Sequence, residues 1–113
     1  MKKLILFTYA LLMPLFLSAQ KIVLGSCTTH DGDTYEGEYI KGKREGYGTY
    51  SFSDGERYEG QWFQDQQHGR GTYFFANNNK YVGLWFRDYQ QGQGTMYYYN
   101  GDKYEGNWAQ DKR

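Results

Sequence analysis

Tyr58-Glu59-Gly60-Gln61-Trp62 is one copy of a motif that appears four times, 23 residues apart. The others are Tyr35-Glu36-Gly37-Glu38-Tyr39, Tyr81-Val82-Gly83-Leu84-Trp85 and Tyr104-Glu105-Gly106-Asn107-Trp108. Around it the same period carries the glycine pairs Gly46/Gly48, Gly69/Gly71 and Gly92/Gly94, each followed by Thr49, Thr72 or Thr95. Asp54-Gly55 and Asn100-Gly101 share a slot with Asn77-Asn78. A fixed period of this length marks a repeat array, in which one unit cannot bury its apolar face alone and stacking supplies the core. Counting back, Gly25 precedes Gly48, and Asp31-Gly32 precedes Asp54-Gly55, by one period, so residues 25–34 read as the second half of an earlier repeat and Cys27 takes the Tyr50 slot. Asp-Gly and Asn-Gly favour the positive φ angles of tight hairpin turns, and turns there divide the chain into hairpins 25–39, 48–62, 71–85 and 94–108, with linkers 40–47, 63–70 and 86–93. On this register the chain is expected to start and stop on whole hairpins.

Alternation along a strand assigns the faces. Tyr35, Gly37 and Tyr39 share one, as do Tyr58, Gly60 and Trp62. On the preceding strands Gly48, Tyr50 and Phe52 fall together, as do Gly71, Tyr73 and Phe75. These columns are apolar in nearly every repeat and form the expected inner face. Rings are expected to lie on glycine backbone, where a Cβ would intrude, and to stack on one another. The outer face is expected to be polar, with Glu36, Glu38, Glu59, Gln61, Glu105 and Thr49. It is interrupted by Phe74, then Val82, Leu84 and Phe86, then Tyr97 and Tyr99. That predicts an outward apolar patch on the third hairpin, of the kind that marks a partner surface.

The combination Tyr-Glu-Gly-x-Trp, Gly-x-Gly-Thr-Tyr and Asp-Gly every 23 residues resembles the MORN repeat. The resemblance runs from residue 25 to 113. It departs from the family pattern at Val82, where an acidic residue is usual, at Tyr39 in place of Trp, and at Asp65 and Asp88, which stand where Gly42 stands. The resemblance and the periodicity together point to an all-β, single-layer β-solenoid or meander of antiparallel hairpins. The resemblance also implies membrane-proximal scaffolding, protein partners and dimer formation. The expected self-association surface is the open edge at residues 104–109. The first hairpin, with Ser26, Thr28, Thr29 and His30, is expected to act as a polar cap.

Residues 1–19 do not belong to the repeat. Lys2 and Lys3 precede an apolar run from Leu4 to Leu17, and Ser18-Ala19-Gln20 follows. This is the layout of a cleavable secretory signal peptide, with the cut expected after Ala19. The run is shorter than the roughly 20 residues of a spanning helix. The protein is therefore expected to be exported: periplasmic, in the cell envelope, or secreted. A retained anchor is the competing reading, as is lipidation at Cys27 through Leu24-Gly25-Ser26-Cys27, although Lys21 separates that box from the apolar run.

Composition limits function. Without Lys2 and Lys3 the remaining chain has 11 basic and 13 acidic residues, and no basic stripe, which argues against nucleic acid as partner. The single Cys excludes an internal disulfide. No catalytic, metal or cofactor site is expected. His30 and His68 fall in different columns without a nucleophile partner. The column Glu36, Glu59, Glu105 reads as solvated strand faces rather than glycosidase carboxylates. Asp31-Gly32-Asp33 and Asn77-Asn78-Asn79 occupy turn slots and lack the calcium-loop spacing. The expected function is a non-catalytic binding or scaffold module. It engages a protein partner or membrane-associated assembly through Phe74, Val82, Leu84, Phe86, Tyr97 and Tyr99. Direct lipid binding through the basic loop Lys41, Lys43, Arg44, or glycan binding through exposed rings, are the alternatives.

Overall fold

The computed structural model describes residues 21–110. They form eight strands in one open antiparallel sheet, ordered as in the sequence: β1 Ile22–Thr28, β2 Thr34–Ile40, β3 Lys43–Ser51, β4 Arg57–Phe63, β5 Gln66–Phe74, β6 Lys80–Phe86, β7 Tyr89–Tyr97 and β8 Lys103–Trp108. The predicted single-layer meander is thus the observed fold. The apolar leader 1–19 lies outside the described residues. Residues 25–34 do complete an earlier repeat, because Gly25 pairs with Gly37 just as Gly48 pairs with Gly60 and Gly71 with Gly83.

The core is a run of rings on one face. Tyr35, Tyr58, Tyr81, Trp62, Trp85 and Trp108 are buried. Each tryptophan stands edge-on between two tyrosines: Trp62 between Tyr35 (5.5 Å) and Tyr58 (5.2 Å), Trp85 between Tyr58 (5.3 Å) and Tyr81 (5.4 Å), Trp108 between Tyr81 and Tyr104 (both 5.4 Å). This T-shaped geometry places a positive ring edge on a negative ring face. The polar atoms of these rings are satisfied within the sheet. The Trp62, Trp85 and Trp108 indoles donate to the carbonyls of Gly48, Gly71 and Gly94. The Tyr35, Tyr58 and Tyr81 hydroxyls donate to the carbonyls three residues on, at Glu38, Gln61 and Leu84. The glycine columns are required by these rings. A Cβ on Gly71 would fall inside the Tyr58 ring, and one on Gly48 inside the Tyr35 ring.

Three expectations need correction. First, 40–47, 63–70 and 86–93 are not linkers. They are strand, interrupted only by the two-residue turns Lys41-Gly42, Gln64-Asp65 and Arg87-Asp88. Both residues of each turn have positive φ (52° and 78°, 47° and 69°, 50° and 71°), the backbone of the tightest hairpin turn. Second, the Asp-Gly turns are the looser ones. Phe52 N–H donates to the Glu56 carbonyl and Gly55 N–H to the Phe52 carbonyl, and within that loop only Gly55 is left-handed. Three residues, 53–55, thus cross between strands instead of two, and Asn78 takes the left-handed place in the third hairpin. Third, the first edge is not a polar cap. β1 begins at Ile22, before the matched columns, and leaves Ile22, Val23 and Leu24 exposed by 59%, 52% and 78%. Tyr39 in the tryptophan slot lacks the indole donor that closes the later hairpins.

Candidate binding surfaces

Consecutive repeats are fastened at the two-residue turns. Asp65 N–H donates to the Arg44 carbonyl, while Asp65 Oδ1 accepts from the Arg44 backbone N–H (2.8 Å) and from Nε (3.0 Å). Asp88 repeats the arrangement on Gln67, accepting its N–H at 2.7 Å. The departures from glycine at 65 and 88 therefore have a structural role. Aspartate tolerates the left-handed backbone and adds an acceptor that Gly42 lacks. Burial alone would raise the Asp65 pKa, but the Arg44 N–H and guanidinium bonds outweigh it and hold the carboxyl low.

The Arg44 interaction changes the expected basic loop. Lys41 sits in a turn and Lys43 is exposed at the start of β3, but Arg44 points to the inner face. Its guanidinium lies over Trp62 (4.7 Å) and Tyr50 (5.1 Å) and is paired with Asp65. Lys41, Lys43 and Arg44 are therefore not one cationic cluster.

On the outer face, β6 presents Val82, Leu84 and Phe86 together. Phe74 on β5 and Tyr97 on β7 flank them, with Arg57 over the Phe74 ring (4.1 Å) and Lys80 Nζ over Tyr97 (5.1 Å). Leu84 is half-buried because it packs on Gly92, where β7 bulges. In the first and second repeats Glu38 and Gln61 hold that place and accept the N–H of Tyr47 and Arg70. Tyr99 does not join the patch. β7 ends at Tyr97, and Tyr99 sits in the next turn with its N–H on Asn79 Oδ1. The apolar surface extends instead toward the two-residue turns, through residues the sequence reading left out. His68 lies between Phe63 (5.6 Å) and Phe86 (5.5 Å), and Tyr89 pairs with Phe86 across β6 and β7. Phe63 and Phe86 are one period apart, a signal that a linker over 63–70 conceals. Val82, Tyr97, Phe86, Tyr89 and Phe63 are 37–50% exposed. His30 lies at the far turn, with Nε2 3.4 Å from Asp31 Oδ1. Glu59 and Glu105 pair with Arg57 and Lys103 on their own strands.

The inner face is not flat. Between the ring columns and the two-residue turns it forms a groove of about 710 Å³, reaching from Arg44 to Trp108. One wall carries Tyr50 and Phe52, Tyr73 and Phe75, then Met96 and Tyr98. The other carries Arg44, Asp65, Gln67, Asp88 and Gln90. The ring wall is braced by carboxylates. Tyr50 OH donates to Asp33 Oδ2 (2.9 Å) and Tyr73 OH to Glu56 Oε1 (2.7 Å), while the same carboxylates accept the N–H of Ser53 and Ala76. In the third repeat both partners differ: Met96 has no hydroxyl, and Asn79 replaces the acid while keeping its bond to Tyr99 N–H. The Ser53 N–H and the Tyr50 hydroxyl lower the Asp33 pKa, and burial with the neighbouring Asp33 raises that of Tyr50.

The comparisons agree with this architecture. A family model for the MORN repeat matches residues 35–57, 58–80, 81–103 and 104–113. Its frame opens at the first residue of each Tyr-x-Gly motif, so β1 precedes the first matched unit. No curated protein matches the chain. MORN repeats are generally non-catalytic modules that bind proteins or membranes. With three matched units laid over the successive strand pairs β2–β3, β4–β5 and β6–β7 and a fourth match beginning at β8, the chain belongs to the MORN repeat family.

Proposed function

We propose that this chain is a non-catalytic, exported binding and scaffold module that engages a protein partner through the outer face of its third hairpin. The observation that carries this reading is the set Val82, Leu84, Phe86 and Tyr97, continued by Phe63 and Tyr89. They stand on the face where other repeats carry Glu36, Glu38 and Glu59. Apolar surface gathered in one place and rimmed by Arg57, Lys80 and Arg87 is costly to leave in water and gains most from a partner. Export rests on the leader 1–19. No residue is assigned a catalytic role and no cofactor is invoked.

The test is the double variant Leu84→Asp with Phe86→Asp. Glu38 already occupies the Leu84 place in the first repeat, so a carboxylate there is compatible with the sheet. Capture of partner from an envelope extract should disappear while the near-ultraviolet circular dichroism of the rings persists. A control pair, Glu36→Lys with Glu59→Lys, should leave capture unchanged. Capture by the folded double variant removes the reading.

A second reading has its own observation. Lys41, Lys43 and Arg87 stand at the same sheet margin as Phe63, Phe86 and Tyr89, a basic and aromatic margin suited to an anionic membrane surface. Salt-sensitive co-sedimentation with anionic vesicles, lost in Lys41→Glu with Lys43→Glu, would favour it. Self-association through an open edge is expected at β8, and also at β1, whose Ile22, Val23 and Leu24 are uncovered.

A further inference from the structure

The groove holds a hydrogen-bonding group that the fold does not use. Gln67 is 6% exposed and lines the groove wall. Its backbone N–H is taken by Asp88, but no described residue bonds its side-chain carboxamide. Among the described residues no fully buried polar side-chain atom lacks a partner, so the amide reaches solvent through the groove. Beside it, Asp88 uses Oδ1 on Gln67, and Asp65 uses Oδ1 for both bonds from Arg44. Their Oδ2 atoms take no part in those staples. The facing wall has the opposite character. The Tyr50 and Tyr73 hydroxyls and the three indole N–H groups are all committed inside the sheet. What the rings offer to a ligand is therefore their faces and, at Tyr73, a hydroxyl oxygen that can still accept but has no hydrogen left to donate.

The groove thus has an apolar, ring-lined wall and a wall of carboxylate and carboxamide, and both advance by one repeat for every two strands, about 9.5 Å. A ligand that fits must be linear, must have an apolar face, and must supply both hydroxyl-type donors and acceptors along one edge. A proline-rich peptide offers carbonyl acceptors but no donors for Asp65 and Asp88. A lipid tail or an apolar helix would desolvate those carboxylates without partners. A polyphosphate backbone would meet two negative charges. A chain of β-linked pyranose rings satisfies all three conditions. Its C–H faces stack on aromatic rings, its equatorial hydroxyls both donate and accept, and two sugars span close to one repeat.

We propose that the inner groove of this sheet is a binding site for a neutral, linear β-linked polysaccharide, one disaccharide per repeat, with Tyr73 and Phe75 as stacking platforms and Gln67, Asp65 and Asp88 as hydroxyl partners. The site lies on the face opposite the proposed protein-binding patch and does not depend on it. Trp62 and Trp85 line the groove, so occupancy is read directly in tryptophan emission.

The experiment titrates the chain with cellohexaose and chitohexaose, with maltohexaose as an α-linked control and a proline-rich decapeptide as a competitor class. Saturable change with at least one β-linked hexaose, tightening from disaccharide to hexaose and absent with maltohexaose, is the expected result. Gln67→Leu keeps the side chain's bulk and removes its amide, and should weaken binding at least tenfold with the ring circular dichroism unchanged. Asp88→Asn keeps the acceptor for Gln67 N–H and should weaken binding several-fold. Leu84→Asp with Phe86→Asp should leave glycan affinity intact, which separates this site from the outer patch. The proposal is overturned by absence of binding to both β-linked hexaoses, by affinity that does not grow with chain length, by an undiminished Gln67→Leu variant, or by preference for the peptide.

Discussion

Replacing Gly71 by alanine tests the account of the core most directly. A Cβ on Gly71 would enter the Tyr58 ring, and Tyr58 is fully buried between Trp62 and Trp85. The ring must leave its seat. It then loses the hydroxyl bond to the Gln61 carbonyl, about 0.5–1.5 kcal/mol, and its edge contacts with Trp62 and Trp85, about 0.5–1.5 kcal/mol each. The strain of the added methyl is about 1–3 kcal/mol. The expected loss is about 3–7 kcal/mol, against a typical domain stability of about 5–15 kcal/mol. The control is Gly25→Ala, in the equivalent column of the first hairpin. There the nearest atom is Tyr39 Cε2 at 3.2 Å, on a half-buried ring that can turn aside, and the cost should stay within about 1 kcal/mol. Urea unfolding followed by tryptophan emission measures both. Losses equal to within about 1 kcal/mol would refute the ring-on-glycine argument, because the two sites share a column and the methyl meets a buried ring at one and a half-buried ring at the edge of the sheet at the other.

The turn staples predict an ordering: Asp88→Ala loses the acceptor for Gln67 N–H and keeps a left-handed non-glycine backbone, costing about 2 kcal/mol, whereas Asp88→Gly relieves the backbone and should cost less than about 1 kcal/mol by the same unfolding assay. Burial raises the Tyr35 pKa to about 12 and that of Tyr58 further. Folded values above the unfolded pKa near 10 mean that the neutral phenols' contribution is complete below about pH 10 and is lost as pH rises through about 12, so tyrosinate absorbance should appear together with loss of ring circular dichroism rather than before it. On the acid side, the lowered Asp33 and Asp65 carboxyls contribute stability above the usual carboxylate range and lose it as pH falls through it, an effect that Asp65→Asn should blunt in an acid titration. Met96→Tyr alone gives the third repeat a hydroxyl without an acid, and adding Asn79→Glu should recover about 1 kcal/mol as coupling in a double-mutant cycle.

The fold was legible because two periods reinforce each other. The spacing of 23 residues aligned the columns, and the strand period of two assigned Tyr35, Tyr58 and Tyr81 to one face with no further information. What stayed hidden lies where the backbone departs from plain pleating. Gly46, Gly69 and Gly92 have positive φ and mark bulges, where Gly37 pairs with Gly48 but Tyr39 pairs with Arg44. The irregular, polar composition around them resembled loop. Yet the bulge adds residues in even number, so counting back by twos from Gly48 already puts Arg44 on the inner face. A strand taken to begin at Gly48 hides this, and the same boundary leaves Phe63, His68 and Tyr89 out of the patch. Tyr99 was misplaced in the opposite direction: alternation was carried past Tyr97 into a turn where it no longer applies.

A repeat protein separates what builds the sheet from what is added to it. Positions filled alike in every turn, such as Tyr58 with Gly71 or Trp85 on the Gly71 carbonyl, answer to the neighbouring repeat and would be needed whatever the protein bound. Departures within a column answer to something else when the fold does not need them. Asp65 and Asp88 replace glycine but are explained by the staples they form. Asn79 is explained by Met96, since the acid has no hydroxyl left to hold. Val82 and Leu84 have no such internal explanation, because glutamate at their places in the first repeat serves the sheet as well or better: Glu38 accepts a backbone N–H that a leucine cannot. The same logic applies to Gln67, whose amide bonds to no described residue although its column holds a fully engaged Arg44 one repeat earlier. Local hydrogen-bonding and solvation are given up at these points, on opposite faces of the same sheet, and surfaces of that kind are where function is to be sought in an otherwise self-consistent fold.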